Sequence, residues 1–287
     1  MPAAPPIVRT VADLRRTVAA WRDEKHSIGF VPTMGALHEG HLSLVRLLKR
    51  RYARVAASIF VNPKQFAAHE DLGAYPRDEA GDLAKLAAAG CDVVFAPDPE
   101  EMYPEGFASA VSVAGVSAPL EGEARPAFFG GVATVVTKLL LQCLPDGAAF
   151  GEKDYQQLLV VRRLARDLDI PVEIIAGETV READGLAMSS RNAYLSAAER
   201  GIAAQLSAVL RDAIERLHRG EPIAAVERDC TARLQAAGFG PIDYVAVRDA
   251  ETLAPLARLD RPARILAAAW LGRTRLIDNF AAGGVVL

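Results

Sequence analysis

The stretch that decides the fold is residues 31–41, which read Val-Pro-Thr-Met-Gly-Ala-Leu-His-Glu-Gly-His. It joins a predicted buried strand at 27–31 to a predicted helix at 42–51. His38 and His41 lie three positions apart, a spacing that predicts a shared helical face. A helix start offers unpaired N–H groups and partial positive charge, which suit phosphates. Gly35 and Gly40 would let a ligand approach the main chain. The stretch predicts a nucleotide site with two imidazoles directed at the phosphates; the alternative is a tight turn with two surface histidines.

Helical and strand patterns alternate on both sides of this stretch. Short apolar strands between helices favour a parallel sheet that is covered on both faces. The sequence therefore predicts an α/β fold, a Rossmann-like doubly wound parallel sheet whose ligands bind beyond the carboxyl ends of the strands. The predicted helices are 10–23, 42–51, 79–89, 132–143 and 155–168, and the predicted strands are 27–31, 55–61, 92–95, 148–150 and 172–176.

The pattern changes after residue 178. A predicted turn at 181–185 precedes two amphipathic helices, and Ser196 with Glu199 forms a capping box before the first of them. Helices followed by strands, without alternation, predict a smaller C-terminal α+β domain. We expect an N-terminal domain over 1–179 and a C-terminal lid domain over 180–287. The predicted elements of the second domain are helices 197–219 and 224–237 and strands 243–247, 265–271 and 275–280.

Composition excludes several classes of protein. The 287 residues are 51% hydrophobic and 24% charged, which is enough apolar material for a large core, and the net charge of -3 gives no support for nucleic-acid binding. Three widely spaced cysteines, Cys91, Cys143 and Cys230, argue against a zinc ribbon or a disulfide framework. The N-terminus lacks a signal-peptide pattern and no stretch is apolar enough to span a membrane. We expect a cytoplasmic protein with neither nucleic acid nor membrane as a partner.

Two polar motifs follow predicted strands. Asn62 and Gln65 come after the strand that Pro63 ends, at the edge where a ligand is expected, and both side chains donate and accept hydrogen bonds. The alternative is an Asn-Pro turn. In the second motif, Gly151 opens a turn and Lys153, whose charge can neutralise phosphate, starts a helix, with Gln157 one helical turn later. The alternative here is a surface turn with Asp154 as the N-cap.

A third motif lies just past the predicted domain boundary. Residues 187–192 read Ala-Met-Ser-Ser-Arg-Asn, so that two hydroxyls and a guanidinium stand in a row and could clasp phosphate. The alternative is a serine-rich loop before a helix. The chain has no G-x-x-x-x-G-K-[ST] loop. His38-Glu39-Gly40-His41 is one residue short of the H-E-x-x-H spacing, which makes a zinc protease a poor interpretation.

Together these motifs resemble the pantoate–β-alanine ligases, a family of the HIGH-type nucleotidyltransferases. The likeness covers nearly the whole chain in the family's order, and all the motifs together are highly specific. One departure is Phe128-Phe129, where the family usually has His-Phe, so the function of that histidine is met here without an imidazole. The stretches that carry the resemblance are Pro32–His41, Phe60–Phe66, Tyr75–Asp78, Gly131–Leu139, Phe150–Leu158 and Met188–Asn192.

The resemblance implies that ATP and (R)-pantoate form pantoyl adenylate and pyrophosphate, and that β-alanine then releases pantothenate and AMP. Mg²⁺ held mainly by ATP oxygens and water, and a homodimer, are further implications; no protein ligand to the metal is assigned. The residues expected to act in catalysis are His38, His41, Lys153, Ser189, Ser190 and Arg191. Those expected to bind ATP are Met34, Gly35, His38, Gly40, His41, Gly151, Lys153, Asp154, Val180, Met188, Ser189, Ser190 and Arg191, and those expected to bind substrate are Met34, Asn62, Gln65 and Gln157.

Two other functions stay open at this point. A related nucleotidyltransferase that acts on another small acid or phosphate would stop after nucleotidyl transfer, and it does not predict the paired glutamines. A non-catalytic nucleotide-binding regulator would tolerate the loss of His41 or Lys153, and both are present.

Overall fold

The computed structural model describes residues 4–67 and 72–283. Residues 1–3, part of the N-terminus considered above for a signal peptide, lie outside it. The chain forms two compact units: one is Met1–Glu152 with Gln156–Glu178, and the other is Lys153–Tyr155 with Thr179–Leu287. Within the described residues, every helix is too short or too polar to cross a membrane.

The first unit is built on a parallel sheet, which confirms the predicted α/β class. Among the described residues it has six strands in the order β1-β4-β3-β2-β5-β6, with all neighbouring pairs parallel. From β2 the chain runs outward to β3 and β4 and then returns to β5 and β6 on the other side. Ligands bind such sheets where the strand order reverses, which is between β2 and β5. The strands are β1 Ile7–Val8, β2 Ile28–Thr33, β3 Arg54–Ile59, β4 Val93–Phe95, β5 Gly147–Gly151 and β6 Glu173–Gly177.

Helices pack on this sheet through apolar stripes. Leu44, Val45 and Leu48 of one helix and Leu86 of the next bury against the side chains of β2, β3 and β4. This packing fixes the start of each helix over the carboxyl edge of the sheet. The helices are α1 Val11–Asp23, α2 Glu39–Lys49, α3 Glu79–Ala89, α4 Pro99–Met102, α5 Glu121–Ala124, α6 Phe128–Cys143 and α7 Tyr155–Asp167.

The second unit is the predicted small α+β fold. Its antiparallel sheet has the order β7-β8-β9. One face of the sheet packs on two helices, where Leu206, Leu210 and Val226 meet Ile265 and Ala267. The elements are α8 Ala197–Ala203, α9 Gln205–His218, α10 Ile223–Ala236, β7 Ile242–Asp249, β8 Ala263–Leu271 and β9 Thr274–Ala281.

The structure corrects several of the predicted elements. The single helix predicted at 197–219 is two helices that meet at Ala204, although the apolar pattern continues across the break. Helix α6 begins at Phe128 rather than Val132, because packing overrides the poor helix propensity of Gly130-Gly131. The two-residue strand β1 has no counterpart in the prediction. The capping box of Ser196 and Glu199 is confirmed.

Candidate active site

The loop between β2 and α2 is held by a buried carboxylate from another helix. Asp82 of α3 is 1% exposed. One of its oxygens accepts a hydrogen bond from the Ala36 amide and the other from the Leu37 amide, both at 2.8 Å. Lys85 Nζ donates to the Leu37 carbonyl at 2.8 Å. Gly35 and Ala36 have φ angles of 80° and 51°, a left-handed conformation that these bonds help to maintain.

The two histidines are neighbours. The sequence predicted that they share a helical face, but His38 lies just outside the helix. His38 is the extended N-cap of α2, and His41 is the third residue of the helix. His38 Nδ1 accepts from the Gly40 amide at 3.2 Å, and His41 Nδ1 accepts from the His38 amide at 3.3 Å. The ring centroids are 4.1 Å apart. The imidazoles are therefore brought together by a reciprocal capping box.

This cap determines which ring nitrogen of each histidine can donate. A nitrogen that accepts a hydrogen bond from a backbone amide carries no proton. The proton of each neutral ring then lies on Nε2, which becomes a donor. Two imidazole donors at a helix N-terminus add to its partial positive charge. The local structure thus suits the stabilisation of a phosphate rather than the removal of a proton.

Three of the predicted substrate-binding residues form one connected group beside this loop. Gln65 Nε2 lies 3.1 Å from Met34 Sδ. Asn62 is 1% exposed, and its Nδ2 donates to Gln65 Oε1 at 2.9 Å and to the Gly131 carbonyl at 3.2 Å. Asn62 Oδ1 accepts from Tyr103 Oη at 2.7 Å. Both ends of the Asn62 amide therefore bond to protein groups, and through one of these bonds Asn62 orients the Gln65 side chain.

Sequence reasoning missed Arg125, which reaches the same group. Its Nη2 donates to the Gln65 carbonyl at 3.3 Å. Its guanidinium carbon lies 3.8 Å from the centroid of the Phe128 ring. The departure from the family pattern at Phe128 therefore provides an aromatic face for a cation. The signal available in the sequence was the arginine three residues before that unusual phenylalanine.

Helix α6 approaches the turn at 63–65 so closely that only glycine fits. A Cβ on Gly131 would overlap the Lys64 carbonyl oxygen and lie 2.7 Å from the Gln65 amide nitrogen. We expect Gly131→Ala to lower the free energy of unfolding by about 1–3 kcal/mol, because the helix must shift to relieve the overlap. Urea unfolding measures the loss.

Gly130→Ala is the matched control for this substitution. It lies in the same helix, and a Cβ there would meet nothing within 4 Å. We expect it to raise stability by about 0.5–1 kcal/mol, as alanine does in a helix interior. Equal effects of the two substitutions would contradict the close approach at Gly131.

The short segment that carries Lys153 belongs to the second unit. Residues Glu152–Asp154 form a 3₁₀ turn after β5, and α7 starts at Tyr155. The Lys153 side chain is 19% exposed, with Nζ 4.0 Å from Asp154 Oδ2. Its carbonyl accepts from Asn279 Nδ2 of β9 at 2.8 Å. Gln157 is half-buried on α7.

A hairpin in the second unit leads to the serine-rich motif. Met188 donates from its amide to the Val180 carbonyl at 3.0 Å, which pairs two predicted ATP-binding residues. Arg181 anchors the hairpin to β9 through a two-pronged bond to Asp278, at 2.7 and 2.9 Å. Ser189 then caps a 3₁₀ turn over Ser190–Tyr194 by accepting from the Arg191 amide. The two serines and the arginine thus stand on a braced hairpin.

The predicted site residues are divided between the two units. In the first unit, the glycines at 35, 40 and 151 accompany the two imidazoles and the connected group of Met34, Asn62 and Gln65. The second unit holds the ammonium of Lys153 and the guanidinium of Arg191. Within residues 4–67 and 72–283, His, Cys, Asp and Glu side chains do not gather in groups of three that could hold a metal.

Known proteins resemble the chain over almost its entire length. The model of the family described as pantoate-beta-alanine ligase matches residues 6–281. Pantothenate synthetase of Caulobacter vibrioides is 60% identical, with 98% of this chain and 99% of that protein covered. Pantothenate synthetase of Paramagnetospirillum magneticum is 59% identical, with 97% and 98% covered.

Solved structures give the same result. Pantothenate synthetase of Thermus thermophilus is 48% identical, with a TM-score of 0.91 and 96% of this chain and 99% of that chain covered. Pantoate-beta-alanine ligase of Francisella tularensis, complexed with beta-gamma ATP and beta-alanine, is 33% identical, with a TM-score of 0.81 and 97% and 98% covered.

Proposed function

The chain belongs to the pantoate–β-alanine ligase family, and we propose that it makes pantothenate through a pantoyl adenylate. Its activity is that of a pantoate–β-alanine ligase, an ATP-using enzyme that joins the two substrates. The observation that carries the adenylate route is the reciprocal cap of His38 and His41, which makes both rings donors at a helix N-terminus. A carboxylate is a poor acyl donor, so AMP must first become its leaving group.

The first step needs charge stabilisation rather than a base. A carboxylic acid is already ionised at neutral pH. Negative charge grows on the phosphates while the α-phosphorus is five-coordinate, and fixed donors lower the energy of that state. We assign this function to the imidazoles of His38 and His41, and we expect Gly35 and Gly40 to lie close to the phosphates.

Cationic and hydroxyl groups neutralise the pyrophosphate as it leaves. We assign this function to Lys153, Ser189, Ser190 and Arg191, supported by the braced hairpin and by the turn that presents Lys153. Arginine suits two-pronged binding of phosphate, and lysine acts as a point charge. Gly151, Asp154, Val180 and Met188 would line ATP beside them.

Mg²⁺ would supply further neutralisation of the triphosphate. The donor set of the described residues fits an ion that is carried by ATP oxygens and water, because the site groups are mostly cationic or neutral. Asp154, which directly follows Lys153 in the chain, could contact such a hydrated ion.

Pantoate would lie against Met34 and the amides of Gln65 and Gln157. We expect Gln65→Ala and Gln157→Ala each to weaken pantoate binding by about 1–3 kcal/mol, because polar groups of the substrate lose their partners. ATP binding should change less. Calorimetric titration of the two ligands separately measures both affinities, and an equal loss for both would count against the assignment.

The second step begins when β-alanine attacks the adenylate as a neutral amine. The proton leaves to the adenylate phosphate or to water, and AMP departs with its bond to the acyl carbon broken. The decisive assay therefore measures each product separately. Pyrophosphate release should require pantoate, and AMP release should require β-alanine. Pyrophosphate release that requires β-alanine would overturn the proposal.

Two features of the whole molecule remain proposals. We propose a homodimer, because symmetric dimers are the commonest oligomers and the family resemblance implies one. Light scattering should give twice the chain mass, and a monomer mass would exclude the dimer.

We also propose that the second unit, which carries Ser189–Arg191, acts as a lid that excludes water from the labile adenylate. Solution scattering with and without ATP plus pantoate should detect closure, and identical profiles would contradict it.

A further inference from the structure

The sheet of the second unit has a second face that is partly buried, and Asn279 on that face contacts the segment with Lys153. Arg264 lies opposite Ala281 and Leu266 lies opposite Asn279, so all four share one face. The opposite face, with Ile265 and Ala267, packs on the helices. Arg264 is 7% exposed and Asn279 is 3% exposed. Two polar side chains are thus buried away from the helices.

Asn279 connects two fixed partners through the two ends of its amide. Its Oδ1 accepts from Arg264 Nε at 2.5 Å, and its Nδ2 donates to the Lys153 carbonyl at 2.8 Å. A guanidinium can only donate and a carbonyl can only accept, so the orientation of the amide is determined. A buried amide engaged in this way costs free energy when either bond is broken.

A second contact fixes the next residues of the same segment. The Arg264 guanidinium carbon lies 3.9 Å from the centroid of the Tyr155 ring. Tyr155 is 3% exposed, and its hydroxyl donates to the Ala250 carbonyl at 2.8 Å. Arg264 therefore holds both Asn279, which bonds to Lys153, and the aromatic ring two residues later. The main chain at 153–155 is fixed by side chains more than 90 residues away in the sequence.

We propose that Asn279 is a positioning residue that fixes the main chain at Lys153 and so holds the Lys153 ammonium ready for the phosphates of ATP. This inference rests on the proposed function, since it assumes that Lys153 acts in adenylate formation. A lysine side chain has many rotamers, and a defined main chain reduces the volume that the ammonium samples. Misplacing a catalytic group by about 1 Å can cost about 100-fold in rate.

The test uses Asn279→Ala and Asn279→Asp in the full-length protein. The aspartate keeps the acceptor for Arg264 but places an oxygen against the Lys153 carbonyl. Thr274→Ala is the matched control, because Thr274 lies on the same strand and is also 3% exposed. Thermal unfolding of all three variants shows whether stability falls equally. We expect adenylate formation to fall at least about tenfold in both Asn279 variants and to be unchanged in the control.

A double-mutant cycle separates positioning from general damage. Asn279→Ala is compared in the wild-type and Lys153→Ala backgrounds by single-turnover pyrophosphate release. If Asn279 acts through Lys153, its substitution should have little further effect once the ammonium is gone. An equal fold-loss in both backgrounds would overturn the proposal, as would wild-type rates in both Asn279 variants.

Hydrogen exchange gives a readout that does not depend on activity. Amides in residues 152–158 should exchange faster in Asn279→Ala than in Thr274→Ala, because the segment has lost its anchor. Equal exchange in the two variants would overturn the positioning of Lys153. If the wild-type protein released no pyrophosphate with pantoate, the proposed function would fail while the exchange experiment still decided the positioning.

Discussion

Replacing His41 by alanine is expected to slow pyrophosphate release by at least about 100-fold in a single turnover with ATP and pantoate. One fixed donor in a site shielded from water typically contributes about 3 kcal/mol to the transition state. The substitution also removes the acceptor for the His38 amide, so a loss of the helix cap must be separated from a loss of chemistry.

His41→Gln makes that separation. Glutamine at the third helical position can accept from the N-cap amide, as in an ordinary capping box, but it offers no imidazole. We expect its thermal stability to stay near that of the wild type and its rate to remain far below. Ser196→Ala, which opens the capping box of α8, controls for cap loss: it should cost about 0.5–2 kcal/mol of stability and leave the rate unchanged. A His41→Gln enzyme of normal rate would remove the ring from the chemistry.

Lys153→Ala is expected to reduce adenylate formation by a similar factor, at least about 100-fold, because the departing pyrophosphate would lack a positively charged partner. The affinity for pantoate should change far less than the rate. Single-turnover pyrophosphate release and pantoate titration measure the two quantities.

Two further variants test whether the effect comes from the charge of Lys153. Lys153→Arg keeps the charge but changes its shape and reach, so it should recover part of the rate and no more. Lys49→Ala removes a lysine from the far end of α2, where Nζ pairs with Asp92 at 2.9 Å, and it should leave adenylation unchanged. If Lys153→Ala and Lys49→Ala behave alike, Lys153 does not act on the phosphates.

Periodicity was sufficient to predict strands β2 to β6 and the layered arrangement of sheet and helices. The strands are short, apolar and regularly separated by helices, so each local pattern agrees with the global fold. The predicted ends of helices were wrong where a residue occupies a position that is unusual for its type. Histidine is not a favoured N-cap, so the start of α2 was predicted at residue 42 and not at Glu39. Gly130-Gly131 lowered the helix signal, and close packing requires the glycine at position 131.

Residues that act through distant contacts could not be found from the sequence. Asp82 has the pattern of an ordinary acidic residue near a helix start, and only the fold brings its carboxylate to amides 45 and 46 positions earlier. Asn279 lies in a strand pattern that gives no hint of Lys153. The motifs that carry the chemistry, by contrast, could be identified from residue type and spacing.

The packing of Lys153–Tyr155 with the second unit affects how relatives of this enzyme can be recombined. A chimera that joins residues 1–178 of one protein to the remainder of another would combine a Lys153 segment with a foreign β9 strand. Such a hybrid should fold and yet adenylate poorly unless its Asn279, Arg264 and Tyr155 come from compatible parents. A crossover design that transfers residues 153–155 together with the C-terminal part avoids this mismatch. The units that can be exchanged are therefore defined by contact and not by chain order.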